Sequence, residues 1–276
     1  DVCKAVEEHF LPEIAGGDIP STVPGAVLAI ADRVDSIVGA FSVHEVPTGS
    51  RDPYGIRRAA AGLAEISGRY GFDFELPVLL SAAANLFVEQ GADVDQDEQM
   101  VTKAAEFIMD RVQNRIVDTG LPVEVAEGAR AAGISSTLRF TALAQALDAF
   151  RSTPGFDDLH TAYFRSRKIA DKAGEGFADA AIDESLFEDD AEASLYKYLN
   201  DAAPQVEQLA ATRDYPEALA LAAGIRIAVD RFFDAVMVMA EDEKIRNNRL
   251  ALLTRVAGML MSLGDPMRVA AAPKGL

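Results

Sequence analysis

Tryptophan is absent from the 276 residues, a single cysteine occurs at position 3, and the three histidines, His9, His44 and His160, are scattered. One cysteine excludes an internal disulfide framework and fits a reducing compartment. Cys3 is expected as a buried, inert thiol, the usual state of a free cysteine. No His-Asp dipeptide occurs, so the chain alone lacks the imidazole-rich ligand set that a divalent transition metal prefers. No apolar run is long enough to cross a bilayer and no stretch has the pattern of a signal peptide, so a cytoplasmic protein with no membrane partner is expected. Basic residues are also scarce: 26 Lys and Arg stand against 44 Asp and Glu, a net charge of −18. Such a field repels phosphate and excludes binding of DNA, RNA or anionic lipid through the whole surface, while leaving room for a local basic patch.

At 49% hydrophobic and 25% charged residues, the chain is otherwise composed like a globular protein. Its length favours two domains over one. It opens at Asp1 inside a helical pattern carried by Val2, Ala5, Val6, His9 and Phe10, which leads us to expect a natural chain that extends further upstream.

Apolar residues recur at three-and-four spacing almost throughout, and no segment alternates as a strand does, so an all-α fold is expected. The first helix runs to Leu11-Pro12, and a loop with Gly16, Gly17, Pro20 and Pro24 follows. Ser21 and Thr22 can cap the next helix, whose stripe is Val27, Ile30, Ala31, Val34, Ile37 and Val38. Asp52-Pro53 then reads as a cap and first-turn proline for a helix through Ile56, Leu63 and Ile66. Further helices are expected at 76–90, 101–117, 123–132, 138–150, 156–173, 188–203 and 205–212. Asp214, Pro216 and Glu217 give a capping-box-like start to a long last-but-one helix. Gly91 with the acidic run 93–98 marks a domain boundary, dividing the chain into 1–95 and 96–276.

The stretch from Phe232 to Leu253 organises the C-terminal part. Val229, Phe232, Phe233, Val236 and Met237 form one apolar stripe, and Leu252, Leu253, Val256, Met259 and Leu260 form another. Phe232, Phe233, Met237 and Met239 are expected in the core. Glu241, Asp242 and Glu243 between the stripes suit the start of a helix, where acidic groups meet exposed N–H donors. Arg246, Asn247, Asn248 and Arg249 follow as a donor-rich turn that packing does not require.

Other polar groups admit two readings. The loop PTGSRDPYG lacks the spacing of a phosphate-binding loop and follows no strand; it reads as a helix entry in which Thr48 and Ser50 satisfy backbone donors. Adjacent Arg57 and Arg58 diverge by about 100° on a helix, so one can pack while the other meets phosphate or nearby acid. Asp32 and Asp35 read as solvated or salt-bridged carboxylates, with Arg33, Arg57 or Arg58 as partners. Two clusters could contact RNA: Arg165, Arg167, Lys168 and Lys172 on one helix, and Arg246, Asn247 and Arg249 on another. Each could equally be a solvated face paired with carboxylates, as Arg226 and Asp230 are placed to do. Tyr163, Tyr196, Tyr198 and Tyr215 are the candidates for stacking on a base.

EHFLP, ADRVDSIVGAF, PTGSRDPYGIRRAA, FEDDAEASLY and FFDAVMVMAEDEKIRNNRLALL, in this order, resemble the β subunit of the bacterial tetrameric (α2β2) glycyl-tRNA synthetase, in its C-terminal half. The resemblance implies the end of an HD-type helical domain at 1–95 and an anticodon-binding helical bundle similar to that of arginyl-tRNA synthetases at 96–276. It implies a tRNA-binding role, with glycine tRNA and the α subunit as partners and the aminoacylation centre on that subunit. ATP and magnesium would serve the complete enzyme, with no cofactor and no catalytic residue expected here. Asp32 or Asp35 resembles the last aspartate of an HD-type metal site by position. Where the family has asparagine in an RVxNI pattern, this chain has Lys168 in RSRKI. A remnant phosphohydrolase and a helical module that contacts only a partner subunit are the other readings.

Overall fold

The computed structural model describes residues 2–14, 16–48, 51–92, 97–173 and 180–273, the side chains of 172 and 173 excepted. The described residues form helices, with one isolated bridge between Thr48 and Arg51. They divide into two compact units, 1–120 with 134–141, and 121–133 with 142–276.

The first unit holds α1 (Val2–Glu8), α2 (Val23–Ser42), α3 (Ile56–Tyr70), α4 (Leu76–Glu89) and α5 (Glu98–Asp118). Thr22 caps α2 through its hydroxyl, which accepts the Gly25 N–H, and Pro24 falls in the first turn rather than in the preceding loop. The buried side of α2 is carried by Ala26, Ile30, Val34, Ile37 and Val38, whereas Val27 is exposed. Arg33 lies in this buried face. Its guanidinium donates to the carbonyls of His9, Phe10, Pro12 and Ala29 at 2.9 to 3.3 Å, tying the turn after α1 to α2. Gly62 on α3 leaves room for it, since a Cβ there would stand 2.5 Å from Arg33 Nε. Arg33 is thus a buried strut rather than a surface partner of Asp32 and Asp35. Cys3 is exposed rather than buried: the one buried residue of α1 is Ala5, and Cys3 sits off that contact line.

Helix α5 packs on α2, α3 and α4, so the first unit runs on to Gly120, beyond the expected division near residue 95. The acidic run 93–96 and Ser50 lie outside the described residues.

The second unit holds α6 (Val123–Arg130), most of α7 (Thr137–Phe150), α8 (Pro154–Ala173), a 3-10 turn (Glu184–Leu186), α9 (Asp190–Ala211), α10 (Tyr215–Ala223), α11 (Arg226–Ala235), α12 (Glu243–Met261) and α13 (Pro266–Ala270). α8 packs against α12, α9 against α10 and α11, and α6 against α13. Three departures from the expected pattern have local causes. Helix α9 is continuous through Pro204 because Leu195, Leu199, Ala202 and Val206 keep one buried stripe across it, which outweighs the lost backbone bond. The expected long helix from Asp214 breaks at Gly224. There the Tyr198 hydroxyl of α9 donates to the Leu221 carbonyl at 2.8 Å, and the Ile225 N–H turns to Ala222 instead. A Cβ at Gly224 would stand 2.4 Å from that hydroxyl, so a glycine permits the approach. Asp214 itself makes no side-chain cap bond.

The third departure lies in the 232–253 stretch. α11 ends at Ala235 and Val236 turns extended, and in the irregular step that follows Val236 and Val238 are buried while Met237 and Met239 are exposed. The helical spacing overran the end of the helix, and these two methionines are not core residues. Phe232 is fully buried with Phe233 edge-on at 5.6 Å, and the second stripe, Leu252 to Leu260, is buried as expected.

Candidate nucleic-acid interface

The donor-rich turn opens α12. Asp242 caps this helix, accepting the N–H groups of Lys244 and Ile245. Arg249, about two turns beyond the cap, is 4% exposed. Its Nε donates to Glu192 at 2.9 Å, a terminal nitrogen donates to Glu188 at 2.9 Å, and the other reaches the Met237 carbonyl at 3.0 Å. Glu192, itself fully buried, also accepts the N–H groups of Glu188 and Asp189, completing the capping box that starts α9. The bond to Glu192, more than any other influence, holds the Arg249 guanidinium more firmly protonated than usual. Asn248 is likewise buried and holds the N–H and carbonyl of Asp183. Arg249 is therefore a fold-holding residue and presents no free guanidinium to RNA. Arg246, half-buried, donates to the carbonyls of Ala240 and Glu241, and Asn247 is half-buried. Core packing thus claims more of this turn than its composition suggested.

The α8 cluster divides by face. Arg165 is half-buried, paired with Asp230 and seated 4.5 Å above the Phe233 ring. Asp230 also holds Arg226 at 2.7 Å, the expected pair. On the exposed side, Arg167 bonds Asp171 at 2.7 Å, and that bond raises its already high pKa. Lys168, exposed, stands 5.3 Å over the Phe164 ring and makes no ion pair with a described carboxylate. The side chain of Lys172 lies outside the described residues. Two grooves flank Arg167 and share Met261 as a wall. One, about 560 Å³, is lined by Tyr163, Phe164, Lys168, Asp171, Asp265 and Met267. The other, about 650 Å³, runs between α8, α9 and α12 and contains Arg255, half-exposed and without a described acidic partner.

The sequence did not single out Arg255 or Phe164. Arg255 is isolated in the chain and joins Arg167 in one groove only where α12 packs on α8. The tyrosines serve the fold instead. Tyr215 is buried, Tyr198 holds the α10 break, and Tyr196 packs edge-on to Phe187 at 5.7 Å. Tyr163 is buried with its hydroxyl 3.4 Å from Met261 Sδ, and burial above all raises its pKa.

In the first unit, Asp52 accepts the N–H groups of Ile56 and Arg57 at 2.8 and 3.1 Å, so its carboxylate serves the start of α3 although Pro53 lies before the helix. Arg58 is exposed and folds back over Gly55; Arg57 is half-buried. Asp32 and Asp35 line a largely apolar groove of about 660 Å³ among α1, α2 and α4, with His9 at its edge. Among the described residues no three His, Cys, Asp or Glu side chains converge as metal ligands. Nor is any described helix long and apolar enough to cross a membrane.

Residues 1–131 match the family model described as glycyl-tRNA synthetase beta subunit, and residues 159–271 match that of the DALR anticodon binding domain. A protein named glycine–tRNA ligase beta subunit from Ectopseudomonas mendocina is 39% identical over 265 residues, 96% of this chain. The chain belongs to the glycyl-tRNA synthetase beta subunit family. Proteins of the same name from Pseudomonas fluorescens SBW25 and Geotalea daltonii are 40% and 36% identical, again over 96% of this chain. The chain spans 38% of the length of these relatives. Within it, the span matched by the anticodon-binding model runs from α8 to α13 and includes Arg167, Lys168 and Arg255.

Proposed function

We propose that this chain is the tRNA-binding part of a glycine–tRNA ligase β subunit, and that its second unit holds glycine tRNA by the anticodon arm while the α subunit carries out glycylation. One observation carries the reading. In the span matched by the anticodon-binding model, Lys168 and Arg255, two cations without a described acidic partner, line the two neighbouring grooves that share Arg167, in a chain whose net charge is −18. In so acidic a protein, cations left without a carboxylate partner are where phosphate can approach. An anticodon is a single-stranded loop, which suits recognition by cations and ring faces rather than by groove geometry. Arg246, Asn247 and Arg58 are secondary contacts in this reading, with Arg57 next to Arg58 in the chain. ATP and magnesium belong to the α subunit's chemistry, no cofactor binds this part, and the cytoplasm is the compartment. The first unit corresponds to the end of an HD-type domain.

The test is a filter-binding titration of the chain against glycine tRNA and against a variant altered only in the anticodon. Salt-dependent binding that weakens with the altered anticodon is expected; equal affinity for both would remove anticodon reading. The apolar groove among α1, α2 and α4 favours a second reading, contact with a protein partner, which predicts retention on immobilised α subunit without tRNA.

A further inference from the structure

Four side chains on α8 succeed one another at intervals of four residues: Phe156, His160, Phe164 and Lys168. Their spacing places them in one row. Phe156 is buried, the His160 ring lies 6.2 Å from it, and the Phe164 ring lies 6.3 Å from His160 with the two planes 12° apart. The Lys168 ammonium closes the row over the Phe164 ring. Phe164 is 40% exposed and faces the 560 Å³ groove, as does Met267 of α13, which is equally exposed. Phe164 and Met267 thus stand part-exposed on two elements of one groove, whose lining also carries Arg167, Lys168, Asp171 and Asp265. The volume is within the range of a small-molecule site, about 300–1,000 Å³.

We propose that Phe164 is the stacking platform for one unpaired base of the bound RNA, with Lys168 meeting the adjacent phosphate and Arg255, in the neighbouring groove that shares Arg167 and Met261, meeting one further along the strand. This rests on the tRNA-binding reading and names the place where a base is held. A base has an apolar π face and an edge with donors and acceptors side by side. Phe164 supplies the face once the Lys168 ammonium that lies over it swings to a phosphate, and the Arg167–Asp171 pair supplies a donor fork beside a carboxylate acceptor. That pairing suits cytosine, whose amino group would donate to Asp171 while its ring acceptors meet Arg167, and guanine, read in the reverse sense. Uracil presents acceptors on both sides of its single donor and fits the pair less well. The phosphate role of Lys168 and Arg255 follows from their having no described carboxylate partner.

The experiment uses the absence of tryptophan from the chain. In Phe164→Trp the substituted position carries the only indole, so stacking of a base on it quenches its emission directly. Titration with glycine tRNA is expected to quench Phe164→Trp saturably, in parallel with binding followed on a filter. Phe164→Ala, whose circular dichroism is checked against the wild type, is expected to bind about 5- to 150-fold more weakly, the range of one lost base stack. Lys168→Ala should weaken binding moderately and lower the slope of log affinity against log salt by about one. Wild-type binding with unaltered emission in Phe164→Trp and unaltered affinity in Phe164→Ala overturns the platform while leaving tRNA binding intact. Failure of the wild-type chain to bind tRNA overturns both.

Discussion

Arg249 and Glu192 form an ion pair closed to solvent: Nε donates to Oε1 at 2.9 Å, and the two side chains are 5% and 1% exposed. The same carboxylate caps the start of α9, so one buried group joins that cap to α12 and, through the second Arg249 nitrogen, to the Met237 carbonyl. Removing the cation would leave a buried carboxylate uncompensated, which costs far more than a surface pair is worth.

Arg249→Ala should therefore lower stability by about 3–5 kcal/mol in urea denaturation. Arg249→Lys should recover only part of this, because an ammonium cannot reproduce the fork that spans Glu192, Glu188 and a carbonyl. A melting curve for Arg249→Ala that overlays the wild type would show that the pair does not hold this corner of the fold.

Gly62→Ala tests the other buried arginine. The new methyl would press on Arg33 Nε and push the guanidinium off its four carbonyls, and overpacking of this kind costs about 1–3 kcal/mol. Because both changes act on one contact, Gly62→Ala added to Arg33→Leu should cost little more than Arg33→Leu alone, a non-additivity that a double-mutant cycle measures.

The attachment of α1 should weaken in acid. Glu8 accepts the Ser21 N–H at 2.8 Å as well as its hydroxyl, and chiefly that backbone bond holds the carboxyl below its ordinary value of 4.5. A carboxyl with a depressed folded pKa stabilises the fold above its unfolded pKa and loses that contribution as pH falls through the folded one. The protection of the Ser21 amide against exchange, relative to its intrinsic rate at each pH, should fall as the pH drops below about 4.5. In Glu8→Gln that protection should not depend on pH over the window; the same loss in that variant would assign the effect elsewhere.

Helical periodicity disclosed the all-α fold and most helix positions, because a stripe such as Leu252, Leu253, Val256 and Leu260 is written in a single segment. What periodicity could not disclose were events set by a second element. The break at Gly224 depends on a hydroxyl from α9, and the continuity of α9 through Pro204 depends on burial on both sides of it. The polar turn was misread for a related reason. Arg249 and Asn248 look like free donors until the 183–192 segment arrives to take them, and that segment lies some 60 residues away in sequence. Conversely, Lys168 and Arg167 are legible as a basic cluster, whereas nothing in the sequence separates Phe164 from the aromatics that pack in the core. Only the assembled α8, α12 and α13 show it left at the edge of a groove.

The irregular step between α11 and α12 has a consequence for how this chain meets oxidants. Alternation turns the thioethers of Met237 and Met239 outward, while the peptide carbonyl of Met237 stays bound to Arg249. Peroxide can convert both side chains to sulfoxides, and methionine sulfoxide reductases can return them, with no packed neighbour displaced in either direction. The two residues that looked most like core here are the ones the molecule can expose to chemical wear at least cost to its fold.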